Sequence, residues 1–202
     1  MISQLTAIFG SKTKAQEIIL LLKDAKEVVR QGFYEKELSA VESFCKDNQL
    51  FLVKSKFKVL LDDKNQVFSN KGMRIPEDDP RPGMFFIYLS KDEQKALFAS
   101  YAELTNNHAE LGRLLGYPAC CIDFFCQNFN ENNTNLELSP TNPWTNLSLR
   151  EKDAVLLSHF PCSSNCIESI KLAQMYFEVI SIADAERGKE LVIIMNLSSA
   201  IQ

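Results

Sequence analysis

Apolar residues at Ala15, Ile18, Ile19, Leu22, Ala25, Val28 and Val29 recur at helical spacing from Thr13 to Gln31, with Gly32 placed to stop the run. Leu38, Val41, Phe44 and Cys45 continue the same period in a second predicted helix, where Cys45 lies on the apolar stripe as a core thiol. The texture then changes. Leu50–Val53, Phe57–Leu61 and Val67–Phe68, the last two divided by a polar turn over Asp62–Gln66, read as short strands of a meander. Met84–Leu89 is a further strand, reached through the proline-rich acidic loop Pro76–Gly83.

Past residue 90 the pattern returns to helix. Ser90 with Glu93, and Asn107 with Glu110, match the capping box that satisfies two orphan amides at a helix start. The first of these helices runs through Leu104, breaks, and resumes to Leu114–Leu115 before Gly116. Pro118 suits the first turn of another helix that turns Ile122, Phe125, Cys126 and Phe129 inward. Between Gln127 and Ser148 stand seven asparagines and two prolines but only two charged residues, the composition of a long loop, with Trp144 as its anchor. Ser148 with Glu151 opens a helix to about His159. Ser163 and Ser164 cap a final long helix through Ile180, and Leu191–Met195 reads as a terminal strand.

The pattern predicts an α+β, helix-rich protein with a small antiparallel sheet. Residues 1–89 hold the N-terminal helices and the sheet, and 90–202 form a helical Cys/His region, the two together making up one or two compact domains. With 202 residues, 46% of them hydrophobic, the chain has material for a real core. A net charge of −4 provides no broad basic surface for a phosphate backbone, and nucleic acid is not an expected partner. The longest aliphatic runs, Ile18–Leu22 and Leu191–Met195, fall far short of the roughly 20 residues of a membrane span. The N-terminus lacks a signal-peptide pattern, so a soluble cytoplasmic location is expected, with a small molecule or a protein as partner.

Six cysteines change the picture, because four of them stand in two tight pairs, Cys120-Cys121 and Cys162-x3-Cys166. In a reducing compartment such clusters point to metal binding or thiol chemistry before disulfides. Both pairs follow a proline at an expected helix start, where the helix dipole favours a thiolate. His159-x2-Cys162-x3-Cys166 supplies three ligands suited to tetrahedral zinc, and the other pair can close the shell. Adjacent helical side chains point about 100° apart, so one of Cys120 and Cys121 is expected there rather than both. An iron–sulfur cluster is the alternative cofactor.

If only three side chains bind, the open position becomes catalytic. Glu110 is then the candidate general base and His108 its catalytic neighbour, with Arg113 and Tyr117 as substrate-binding candidates. His108-Ala-Glu110 matches the His-x-Glu half of a zinc deaminase signature, but the second half, Pro-Cys-x2-Cys, is not met. Arg113 can equally form a salt bridge to Glu110 or Asp123. Two other readings stand beside the metal site: a metal-free thiol redox enzyme using Cys162/Cys166 or Cys120/Cys121, and a non-catalytic binding or scaffold protein. Gly-x-Gly-x2-Gly, Walker, Gly-x-Ser-x-Gly and His-Glu-x2-His patterns are all absent.

The stretch from His108 to Phe125, with Leu-Gly-Tyr-Pro-Ala-Cys-Cys at its centre, and the later Ser158–Ser169 with His-Phe-Pro-Cys-Ser-Ser-Asn-Cys, resemble a prokaryotic domain family of unknown function that is prominent in archaea. The resemblance covers roughly residues 105–175. It implies that the two cysteine elements belong together and names no reaction.

Overall fold

The computed structural model describes residues 1–61 and 72–197. The expected turn at 62–66 and strand at Val67–Phe68 lie outside the described residues. The fold is α+β and helix-rich with one four-stranded antiparallel sheet, and it divides into two compact units, one formed by residues 1–25 with 117–202 and the other by 26–116.

The unit 26–116 contains β1 (Val28–Phe33), α3 (Glu35–Asp47), β2 (Phe51–Leu61), β3 (Gly72–Pro76), β4 (Met84–Ser90), α4 (Glu93–Leu104) and α5 (His108–Leu114). The sheet order is β1-β4-β2-β3, so β4 inserts between β1 and β2 and the sheet is not the expected meander. Phe51–Val53 and Phe57–Leu61, expected as parts of two strands, belong to one, whose register shifts between Lys54 and Lys58. α4 packs on the sheet through Ala96, Ala99 and Ala102, all buried. Its N-cap is Asp92, which accepts the Gln94 and Lys95 amides. Ser90, expected there, instead donates its hydroxyl to the Glu27 carbonyl. Asn107 caps α5 as expected, its side chain 3.1 Å from the Glu110 amide.

The unit formed by 1–25 and 117–202 contains α1 (Ile2–Phe9), α2 (Lys12–Leu22), α6 (Ala119–Asn128), α7 (Ile167–Ala183), α8 (Ala185–Ile194) and two 3-10 turns, Pro143–Thr145 and Leu147–Lys152. α2 ends at Leu22, not Gln31. Asp24 takes the left-handed conformation (φ 59°) and lets the Ala25 amide bond the Leu20 carbonyl, which closes the helix, and the β-branched pair Val28-Val29 enters the sheet instead. The core gathers Leu20, Trp144, Leu147, Leu149, Ala154–Leu157, Ala173, Tyr176, Ile180 and Leu191, with Trp144 edge-on to Phe177 and anchoring its loop.

Four further expectations are corrected here. The helix expected over 148–159 is only a 3-10 turn capped by Asn146 and ended by Asp153 (φ 53°), whose carboxylate accepts the Lys12 and Thr13 amides at the start of α2. α7 follows Cys166 as its N-cap rather than a serine cap, and Ser164 accepts the Thr141 amide. Leu191–Met195 is no strand. Leu191 lies in α8 one turn before Met195 at its C-cap, and both are buried, whereas Ile193 faces solvent. In α6, Ile122 is buried but Cys126 is exposed. No described helix is long and apolar enough to cross a membrane.

Candidate metal centre

Two helix starts build the site. Pro118 is the N-cap of α6 (φ −59°), the value its ring imposes, and its carbonyl accepts the Cys121 and Ile122 amides at 2.9 and 3.0 Å. Cys120 and Cys121 therefore occupy the first turn. On the other side the turn Ser163-Ser164-Asn165-Cys166 closes through the Cys166 amide on the Ser163 carbonyl (3.1 Å), and Cys166 becomes the N-cap of α7.

These starts bring four sulfurs together. Cys120 Sγ lies 3.9 Å from Cys121 Sγ and 3.7 Å from Cys166 Sγ, and Cys121 Sγ is 3.7 Å from Cys166 Sγ. With Cys162 included, the four ligand atoms lie within 4.8 Å of one another, a group that can hold a metal ion. A tetrahedron with metal–sulfur bonds of about 2.3 Å has edges of about 3.8 Å. Both members of the adjacent pair reach the group, because one χ1 rotation per residue swings the sulfurs together across the 100° between their Cα–Cβ directions. Cys121 and Cys166 are buried, Cys162 is half-buried and Cys120 is exposed, so the group opens to solvent on one side.

The surroundings favour negative charge. The positive ends of α6 and α7 meet at the sulfurs, and the Cys162 amide donates to Cys121 Sγ at 3.3 Å. Burial pushes the Cys121 thiol up, and burial with hydrogen bonds to Cys166 and Cys120 takes Cys162 to about 11. Burial also acts against Cys166, yet hydrogen bonds from the Ser169 hydroxyl and backbone and from the neighbouring thiols outweigh it and bring Cys166 down to about 7. Of these three, Cys166 is the one held toward the thiolate, while Cys121 and Cys162 are held toward the thiol.

His159 stands outside the four sulfurs. Its Nε2 is 2.9 Å from Ser169 Oγ, which is 3.2 Å from Cys121 Sγ, so the imidazole reaches the cluster through the serine. Ser169 is wholly buried, one turn beyond Cys166 on α7. Sequence reasoning missed it, although a serine on the buried face of an apolar helix, three residues after a cysteine, was the available signal. Tyr117 packs against the His159 ring at 4.9 Å and donates its hydroxyl to the Ser158 carbonyl at 3.0 Å, which fixes the loop that carries the imidazole.

The remaining candidates sit on α5, in the unit 26–116. Arg113 pairs with Glu110 at 2.7 Å, one turn apart on an exposed face. His108 is half-buried, and burial with the nearby Arg74 and Arg30 charges lowers its pKa against the opposing pull of Glu103. That Glu103 was also missed: it is a carboxylate on the buried, alanine-lined face of α4, bound by Arg30, Arg74 and Tyr88 from three strands.

No curated protein and no solved structure gives a significant match to the chain. Residues 97–191, which contain the four clustered cysteines, His159 and Ser169, match the family described as "Protein of unknown function (DUF483)".

Proposed function

We propose that the chain is a zinc protein in which Cys120, Cys121, Cys162 and Cys166 hold one tetrahedral ion. The observation that carries this reading is the sulfur spacing, since three edges of 3.7–3.9 Å match a mononuclear tetrathiolate. An iron–sulfur cluster places several irons and sulfides between its thiolates and needs wider spacing. Four protein donors leave no coordination position for water, so the centre acts structurally. It cross-links the starts of α6 and α7 and closes a loop of about 45 residues between Cys121 and Cys166, whose second half is held by the core through Trp144, Leu147, Leu149 and Ala154–Leu157. Two helix dipoles and the Cys162 amide offset the charge of the bound thiolates, and Ser169 with His159 forms the outer shell.

Elemental analysis of untagged protein purified without oxygen tests the reading. The expected result is one zinc per chain. Cobalt exchanged into the site should show thiolate-to-metal charge transfer and tetrahedral ligand-field bands. Cys166→Ser should lower the metal content and the thermal stability together. Protein that stays metal-free after reconstitution overturns the proposal.

A second reading has its own observation. Cys166, drawn down to about 7, lies 3.7 Å from the exposed Cys120, the arrangement of a dithiol that passes two electrons and two protons to a disulfide partner. It requires a metal-free native protein with reversible Cys120–Cys166 oxidation, so the same metal analysis separates the two readings.

A further inference from the structure

The cluster around Glu103 carries more positive charge than its carboxylate needs. Arg30 takes Glu103 in a two-pronged pair, with Nε and Nη2 each 2.5 Å from an oxygen, and Tyr88 adds its hydroxyl at 2.7 Å. Glu103 thereby accepts three hydrogen bonds. Arg74 reaches it only at 3.7 Å, beyond hydrogen-bond distance, and gives one N–H to Asn106 Oδ1 at 2.9 Å. Among the described residues no carboxylate hydrogen-bonds Arg74, so several of its five donors stay available.

The geometry also presents these cations outward. The Arg30 guanidinium lies 3.7 Å over the Phe86 ring and that of Arg74 4.3 Å over Phe57, and the two rings meet edge to face at 5.9 Å. Two guanidiniums are thus laid on one aromatic floor and joined by a buried carboxylate, while their side chains remain 31% and 35% exposed. Asn106, which holds Arg74, adopts a left-handed backbone (φ 57°) at the end of α4, two residues before His108. A bridge serving only to hold strands on a helix needs one arginine for one carboxylate. The second, donor-rich arginine fits a role in holding an anion.

We propose that Arg30, Arg74 and His108 form a binding site for a phosphate group, as carried by a phosphorylated small molecule. Arg30 spends its fork on Glu103, whereas Arg74 keeps forked donors that suit tetrahedral oxygens, and with Glu103 counted the two guanidiniums leave the cluster one net positive charge to attract an anion. The site lies wholly within the unit 26–116 and does not depend on the zinc reading.

The test titrates inorganic phosphate into the full-length protein at constant ionic strength, with sodium acetate and potassium chloride as parallel arms. His108 ring resonances, in a chain with only two histidines, provide the readout. Saturable shifts with phosphate are expected, with acetate at least tenfold weaker and no saturation with chloride. Arg74→Gln should weaken phosphate at least tenfold. Lys46→Gln, an equal charge change on the exposed face of α3 in the same unit, should stay within twofold. Should Arg74→Gln fail to fold, Arg74→Lys keeps the charge but loses the fork and should weaken phosphate several-fold. Shifts that chloride reproduces, acetate binding as tightly as phosphate, or affinity unchanged in the Arg74 variants would overturn the proposal.

Discussion

Ser169 Oγ lies 3.2 Å from Cys121 Sγ, and the same hydroxyl meets His159 Nε2 at 2.9 Å. A hydroxyl that accepts from an imidazole N–H is oriented to donate to sulfur, which stabilises the thiolate over the thiol and fixes its direction. Ser169→Ala should therefore weaken zinc binding by about 10- to 100-fold, measured by competition with a chromogenic chelator. Equal affinity in the variant would make the hydrogen bond incidental to the centre.

Glu103 gives a prediction for pH. Burial works to raise its pKa, but Arg30, with Tyr88 and Arg74, outweighs burial and holds the carboxyl below its ordinary value. A depressed carboxyl pKa adds stability that is present above the unfolded-state value of about 4.3 and is lost as pH falls through the folded value. Glu103→Gln leaves Arg30 without its ionic partner and should cost about 3 kcal/mol at pH 7. Urea unfolding of both proteins from pH 7 to pH 3 should show the gap narrowing toward acid, and a constant gap would contradict the linkage.

At Gly188, α8 lies close against Ser181 of α7. A Cβ placed there would sit 2.6 Å from Ser181 Oγ, 2.9 Å from its Cβ and 3.1 Å from its Cα. Gly188→Ala should lower stability by about 1–3 kcal/mol by forcing the helices apart. Adding Ser181→Ala should recover only part of this because the Cβ contact persists, whereas adding Ser181→Gly should recover more. Thermal melts of the three variants decide the order.

Asp153 caps a helix distant in sequence, with Oδ1 2.8 Å from the Thr13 amide and Oδ2 on that of Lys12. Asp153→Ala removes this cap and places alanine in a left-handed backbone, so a loss of about 2 kcal/mol is expected from denaturant unfolding. Asp153→Asn keeps the acceptor and the tolerance for φ 53° and should lose clearly less.

The legible parts of the sequence were those where one local signal decides. Asn107 before α5, Pro118 before α6, the apolar stripe of α3 and the two cysteine pairs all announce themselves within a few residues. The misread parts were settled from afar. Val28-Val29 satisfies a helical period and a strand equally well, and the choice falls to Leu89 and Ser90 across the sheet. Asp153 ends the 3-10 turn because its carboxylate is engaged by α2, about 140 residues earlier. The convergence of both Cys120 and Cys121 depends on side-chain rotation that spacing does not encode. Arg30, Arg74 and Glu103 come from β1, β3 and α4, and no sequence window contains all three.

The division of one unit between residues 1–25 and 117–202 bears on how the chain is made. α2 packs against α7, which begins about 145 residues after α2 ends. At ribosomal rates of about 5–20 residues per second, α1 and α2 leave the tunnel and wait roughly 7–30 s for that partner. The intervening residues 26–116 are synthesised as one continuous unit in the meantime and can fold during the wait. The N-terminal helices thus leave Ile18, Ile19, Leu20 and Leu21, buried in the folded protein, uncovered during that wait, an apolar surface for a chaperone to hold.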